Sequence, residues 1–172
     1  NRLKFKYIFK SSYDKANRSS HKSSRGVGIT KGLNILSQIK QKFKCPIISD
    51  IHDVSQCNIA KDALDIIQIP AFLCRQTDIL IEAGKTKLPI NIKKGQFLSP
   101  YEITNIVNKV LSTGNKRLIL TERGTMFGYN NLVSDMRSLP IMKKTGFPII
   151  YDATHSVQIP GGKGNSSDGQ YE

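Results

Sequence analysis

The stretch from Lys10 to Ser20, KSSYDKANRSS, places Lys10, Lys15 and Arg18 beside Asn17 and several hydroxyls. That inventory suits a phosphate together with sugar hydroxyls. Arg18 can grip phosphate with a planar fork of donors, and Ser19 adds a neutral one. A solvated basic loop is the bland alternative. Lys93 and Lys94 precede Gly95-Gln96, and Arg123 precedes Gly124, so cations at two further points make a second anion site plausible. Asp50 and His52 lie two residues apart, on one side of the chain if it is extended. His155 follows Asp152 closely, and a histidine so placed could be a metal ligand, a proton carrier or a hydrogen-bonded structural group. Cys45, Cys57 and Cys74 show no CxxC pairing, which argues against a disulfide framework or a local zinc knuckle and fits a reducing compartment; Cys45 precedes a Pro just before an apolar run, and Cys57 and Cys74 read as small buried apolar groups. Neither GxGxxG nor GxxxxGK[ST] occurs, so nucleotide binding has no support.

These residues sit at the downstream ends of short apolar runs. Strands are expected over Lys6 to Lys10, Ile47 to Asp50, Ile66 to Ile69, Ile90 to Lys93, Leu118 to Thr121 and Ile149 to Asp152. Between them, apolar residues recurring three and four apart predict helices over Lys31 to Lys42, Val54 to Lys61, Thr77 to Thr86, Pro100 to Ser112 and Leu132 to Lys143. Strands apolar on both faces belong to a parallel sheet covered by helices. Polar residues at the end of every strand favour a (β/α)8 TIM barrel, truncated to about six βα units, over an open doubly wound sheet, which gathers its ligands at one switch point. The chain reads as one barrel domain over residues 1–172, incomplete at both ends, and the opening Asn1 in place of Met fits a fragment. The terminal GGKGNSSDGQYE reads as a flexible loop.

The 172 residues are 38% hydrophobic and 23% charged, the range of an ordinary globular protein. No apolar run approaches the roughly 18 residues of a membrane-spanning helix, and charges scattered through NRLKFKYIFK exclude a secretory signal. Lysine and arginine number 26 against 13 acids; residues 1–44 hold 12 of those cations and one acid, leaving 14 against 12 elsewhere. A local basic region of this kind serves nucleic acid, membrane headgroups or small phosphorylated metabolites.

Taken together, FKSSYDKANRSS (9–20), SDIHDVSQ (49–56), IIQIPAFLCRQTD (66–78), NIKKGQFLSP (91–100), LTERGTMFGYNNLVSDMRSLPIMK (120–143) and YDATHSVQIPGG (151–162) resemble the 3-deoxy-D-manno-octulosonate 8-phosphate synthase family, in family order over nearly the whole chain. KANRSS, PAFLCRQTD and DATHSVQ favour it over the related heptulosonate 7-phosphate synthases. The resemblance implies a (β/α)8 barrel condensing phosphoenolpyruvate with D-arabinose 5-phosphate. It implies that Asn17, Arg18 and Ser19 bind the pentose phosphate, with Arg18 and Ser19 on its phosphate. Lys10, Lys15, Gln68, Lys93 and Arg123 would hold phosphoenolpyruvate, Lys93 and Arg123 through its phosphate, and Asp50 would lie near the reacting centre. Lys10, Lys15, Asp50 and His155 are thereby the catalytic candidates.

The spelling LCRQTD with DATHSVQIPGG looks like the metal-dependent branch, which implies a divalent cation such as Zn, Fe or Mn. His155 alone of that branch's metal ligands falls in this chain, and Cys74 is not one of them. The family also implies a cytoplasmic homo-oligomer, typically a tetramer, working on a lipopolysaccharide sugar without nucleic acid or membrane. Two departures stand out: His21-Lys22-Ser23 replaces the family's Ile-His-Ser, and the Gly-rich tail lacks its Arg. The competing readings are a non-catalytic barrel remnant with open sheet edges and a basic nucleic-acid-binding module built on residues 1–44. The second lacks an aromatic stacking platform.

Overall fold

The computed structural model describes residues 5–164 and 166–170. The opening residues 1–4, and Asn165, Tyr171 and Glu172 of the expected tail loop, lie outside them. The chain runs β1 (Phe9–Lys10), α1 (Ile29–Phe43), β2 (Ile47–Asp50), α2 (Val54–Ala60), β3 (Ile66–Ile69), α3 (Thr77–Lys85), β4 (Ile90–Lys93), α4 (Ile103–Leu111) and β5 (Leu118–Glu122). It continues through β6 (Thr125–Met126), β7 (Leu132–Val133), α5 (Ser138–Lys143), β8 (Ile149–Tyr151), α6 (Ala153–Ser156), β9 (Gln158–Ile159) and β10 (Asp168–Gly169).

Six strands form one parallel sheet in the order β1-β2-β3-β4-β5-β8. Consecutive parallel neighbours joined by helices are the βα repeat of a barrel wall. The wall curls: Lys93 at the end of β4 reaches past β5 to Asp152 beyond β8, at 2.6 Å. The fold is therefore the expected partial (β/α) barrel. Its central strands, IISD, IIQI and INIK, are isoleucine-rich because both of their faces are covered. Ile47, Ile67, Ile69, Ile90, Ile92 and Leu120 are wholly buried in one core with Leu80 and Met142 from the helices. Truncating one of these isoleucines to alanine costs about 2–5 kcal/mol.

Local chemistry sets the helix ends. Asp53 caps α2 by accepting from the Ser55 backbone N–H. Ser99 and Glu102 form a reciprocal capping box around Pro100. The expected helix at 100–112 accordingly opens with a 3-10 turn, Pro100–Glu102, before α4. α1 closes on Lys44 in the left-handed conformation, its N–H returning to the Lys40 carbonyl.

Four expectations need correction. The first strand is confined to Phe9–Lys10, because only these residues pair with β2. The helix expected over 132–143 begins only at Ser138. Pro140 can occupy only a first helical turn, where its missing N–H costs nothing, and upstream the Asp135 carboxylate accepts from the Arg137 N–H to close a turn. Leu132–Val133 instead pairs antiparallel with Thr125–Met126, across a turn with left-handed Gly128 and Asn130. The tail is not all loop, since β10 pairs antiparallel with β9. The last parallel strand stops at Tyr151, because Asp152 turns out of it to cap the unexpected short helix α6.

Candidate active site at the strand ends

A cavity of about 430 Å³ opens at the downstream ends of the parallel strands. Lys10, Lys15, Asn17, Arg18, Asp50, Lys93, Arg123 and His155 all line it, so residues up to 145 positions apart in sequence, 10 to 155, meet at one mouth. Ser19 and Gln68 do not line it. Ser19 is exposed on the loop, whereas Gln68 is buried beneath the floor with both ends of its amide engaged.

The loop after β1 is anchored by Tyr13, which is buried and donates from its hydroxyl to Gln56 Oε1 at 2.7 Å. Helix α1 must approach closely to hold it: a Cβ on Gly32 would lie 2.2 Å from that of Tyr13. The Arg25 guanidinium grips the Asp14 carboxylate through two bonds, holding that carboxyl below its ordinary range, and Arg18 Nε donates to the Ser24 carbonyl at 3.4 Å. Burial pushes the Lys15 ammonium pKa down, with the Lys10 charge adding to the effect.

Asp50 accepts from Ser12 and Gln68 and pairs with Lys10 at 3.0 Å. Burial alone would raise its pKa, but the Lys10 charge and these hydrogen bonds outweigh burial and hold the carboxyl below its ordinary range. His52 also reaches the cavity, its ring edge-on to Tyr13 with centroids 6.0 Å apart. Burial lowers its pKa and favours the neutral imidazole.

On the opposite side, Lys93 pairs with Asp152, which also accepts from His155 Nδ1 at 2.7 Å. Arg123 is buried and donates to Gln158 Oε1 at 2.9 Å, while its Nε has no protein partner. A largely desolvated guanidinium lining a cavity is a ready anion site. Lys94 takes no part in it. Strand alternation turns Lys94 away from Lys93 into full burial, where it pairs with Glu122 at 3.6 Å and donates to the Gly95 and Leu98 carbonyls and to Thr125. Glu122 also accepts from the backbone N–H groups of Arg123 and Gly124, with Gly124 left-handed at φ 91°. This buried pair shapes the turn that presents Arg123.

Five cations, Lys10, Lys15, Arg18, Lys93 and Arg123, thus surround one cavity with Asp14 and Asp50 among them, and Asp152 pairs with Lys93. Such a site can neutralise and hold two anionic ligands side by side. Ser12, Asp14, Gln158 and the wall Pro70-Ala71-Phe72-Leu73 are lining residues that the sequence reading did not single out. Their signal lay in the motifs KSSYD, DATHSVQ and PAFL, whose polar or apolar members have no distinguishing spacing.

A model of the DAHP synthetase I family matches residues 1–167. The chain belongs to this family. Within the DAHP synthetase I family it is similar to proteins named 2-dehydro-3-deoxyphosphooctonate aldolase. That of Geobacter sulfurreducens is 61% identical over 165 residues, covering 96% of this chain and 61% of the relative. That of Geobacter metallireducens is 59% identical over 172 residues, covering all of this chain and 63% of the relative. The Granulibacter bethesdensis protein is 58% identical over 168 residues, covering 98% and 60%. The chain therefore spans about three fifths of the length of these curated relatives.

For a divalent metal, the described residues offer one ligand and not a set. No group of three or more His, Cys, Asp or Glu side chains able to hold a metal occurs among them. His155 has Nδ1 committed to Asp152, which leaves Nε2 as the ligating atom. The three free cysteines are buried and none lines the cavity.

Proposed function

We propose that this chain carries the substrate-gathering wall of a 2-dehydro-3-deoxyphosphooctonate aldolase, a transferase that condenses phosphoenolpyruvate with D-arabinose 5-phosphate. The observation that carries the reading is identity of 58–61% to proteins of that name over at least 96% of the chain. The cavity supports it, because both substrates are anions and five cations converge there.

In this reading Asn17, Arg18 and Ser19 hold the pentose phosphate, and Lys93 and Arg123 hold the phosphate of phosphoenolpyruvate, with Lys15 near its carboxylate. Lys10, kept in place by Asp50, faces the enol. Gln68 acts from below the floor, through Asp50. Carbon three of the enol attacks the aldehyde, water adds at carbon two, and the carbon–oxygen bond to phosphate breaks, giving the eight-carbon acid phosphate and inorganic phosphate. Holding two like-charged substrates in line is where cations contribute most, by screening their repulsion and fixing the reacting atoms.

His155 would supply one ligand, through Nε2, to a divalent Zn, Fe or Mn ion, with Asp152 orienting that ring. Such an ion would polarise the aldehyde as a Lewis acid. The work is cytoplasmic and the enzyme is a homo-oligomer, a tetramer in this reading. No helix among the described residues is long and apolar enough to cross a membrane, in keeping with a reading that needs none. The nucleic-acid alternative loses ground because Lys10, Lys15 and Arg18 line the cavity while Arg25 and Lys40 are paired with Asp14 and Asp65.

The test is phosphate release from phosphoenolpyruvate, with and without arabinose 5-phosphate, in chelator and then in added divalent metal. Release that requires both the pentose phosphate and the metal is expected. Release indifferent to the sugar contradicts the reading, and phosphoenolpyruvate that neither binds nor reacts contradicts it and favours the non-catalytic remnant.

A further inference from the structure

Beneath the cavity floor a line of polar side chains crosses four strands. Thr121 on β5 donates from its hydroxyl to Asn91 Oδ1 at 2.8 Å, and Asn91 on β4 donates from Nδ2 to Gln68 Oε1 at 2.8 Å. Gln68 on β3 donates from Nε2 to Asp50 Oδ1 on β2 at 2.5 Å. All four residues are buried, with exposures of 3–8%, and of the four only Asp50 reaches the cavity. At the far end Asp50 accepts from Ser12 and pairs with Lys10 at 3.0 Å, and Lys10 also donates to Ser12 at 2.9 Å.

The sense of this line follows from its end. An ionised carboxylate only accepts, so Gln68 must present its amide nitrogen to Asp50 and keep its oxygen for the next partner. Asn91 must then present its own nitrogen to Gln68, which leaves its oxygen for the Thr121 hydroxyl. Every link therefore points its donor toward Asp50. A proton on that oxygen of Asp50 would confront another N–H, and relief would require both amides to turn over and the threonine hydroxyl to reverse. The buried line thus opposes protonation of Asp50, and Asp50 in turn fixes Lys10 at the cavity mouth.

We infer that Gln68, Asn91 and Thr121 are positioning residues that hold Asp50 as a carboxylate and, through it, hold Lys10 in place for an anionic substrate. The inference about Asp50 stands on geometry; its consequence for substrate rests on the reading of the cavity given above. The other groups facing Asp50 electrostatically are Lys15, His52 and Tyr13. None of them lies between Asp50 and Asn91 in the line, so replacing Asn91 or Thr121 leaves their contacts with Asp50 unaltered.

The experiment is a carbon-13 NMR titration of the Asp50 carboxyl in the full chain, without substrate, for the wild type and for Thr121→Val, Thr121→Ser and Asn91→Leu. Thr121→Val nearly preserves shape while removing the last donor, and Thr121→Ser keeps it. The midpoint should move to higher pH in Asn91→Leu, by less in Thr121→Val, and should stay in place in Thr121→Ser. For a displacement of one pH unit, phosphoenolpyruvate should bind Asn91→Leu about fivefold more weakly than wild type at the wild-type midpoint, where about half of the wild-type carboxyl and about a tenth of the variant's is ionised. If Asn91→Leu does not fold, the Thr121 pair decides. An Asp50 midpoint unmoved in folded Thr121→Val and Asn91→Leu overturns the inference. Wild type that fails to bind phosphoenolpyruvate at any pH would refute the substrate reading alone, because the carboxyl titration is read without substrate.

Discussion

The two sides of the cavity are built differently. On the side of β4 and β5, Arg123 is 7% exposed and held by a turn that closes on the buried Lys94–Glu122 pair. On the side of the loop after β1, Asn17 and Arg18 are exposed, and their support is the Tyr13 anchor and a surface pair, Arg25 to Asp14. A desolvated cation fixed by the scaffold binds strongly and tolerates little change. An exposed one on a loop adapts to its ligand and contributes less per contact. In the function proposed above, the compact phosphate of phosphoenolpyruvate goes to the first side and the longer pentose phosphate to the second.

That contrast breaks most severely at the buried pair. Lys94→Ala leaves Glu122 buried without its cation and should cost about 3–5 kcal/mol of stability, read as a fall in the urea midpoint. A stability change within that of a surface lysine would show that the scaffold side is not held by this pair. Next, Arg123→Ala should weaken phosphoenolpyruvate binding about a hundredfold, because losing one partner of a desolvated charge contact costs about 2–5 kcal/mol. Calorimetry checks it, and the pentose phosphate affinity should stay nearly constant.

Arg18→Ala should raise the Michaelis constant for the pentose phosphate about tenfold and leave that for phosphoenolpyruvate unchanged. An equal effect on both substrates would merge the two sides into one site. The smallest effect is expected from Arg25→Ala, less than about threefold on pentose phosphate binding, since an exposed ion pair contributes little.

A pH test sharpens the same contrast. Asp50 has a folded carboxyl pKa below its unfolded value of about 3.9. The stability it adds is therefore present above that unfolded value and is lost as the pH falls through the folded one. Asp50→Asn should flatten the acid limb of a stability profile, whereas Asp53→Asn, at an exposed helix cap, should leave it close to wild type.

The scaffold was more legible in the sequence than the site's interior. The runs 47–50, 66–69 and 90–93 carry the observed bounds in the sequence because they are isoleucine-rich, and the first and third also end in a charged residue. The helix at 132–143 was misjudged because its apolar spacing outweighed Pro140, which alone marked where a helix could begin. Lys93 and Lys94 were grouped as one anion site, although the two-residue period of a strand sends neighbours to opposite faces.

The substrate role of Gln68 comes from the resemblance alone, because a polar residue in a buried strand shows that it needs a partner without showing which one. Its partners, Asp50 and Asn91, lie 18 and 23 positions away and become neighbours only through strand register. Lys10, Lys93 and Arg123 were legible because each stands at or just beyond the end of an apolar run, where barrel side chains converge, and Lys15 and Arg18 because they fall in the loop that follows the first of these runs.

The central claim is that one cavity holds two separate anions. Phosphorus-31 NMR titration of the chain with phosphoenolpyruvate, with arabinose 5-phosphate, and with one in the presence of a saturating amount of the other tests it directly. Both ligands should bind together, each leaving the other's resonance in its bound position. Displacement of either ligand by the other would reduce the cavity to a single anion site and contradict the account.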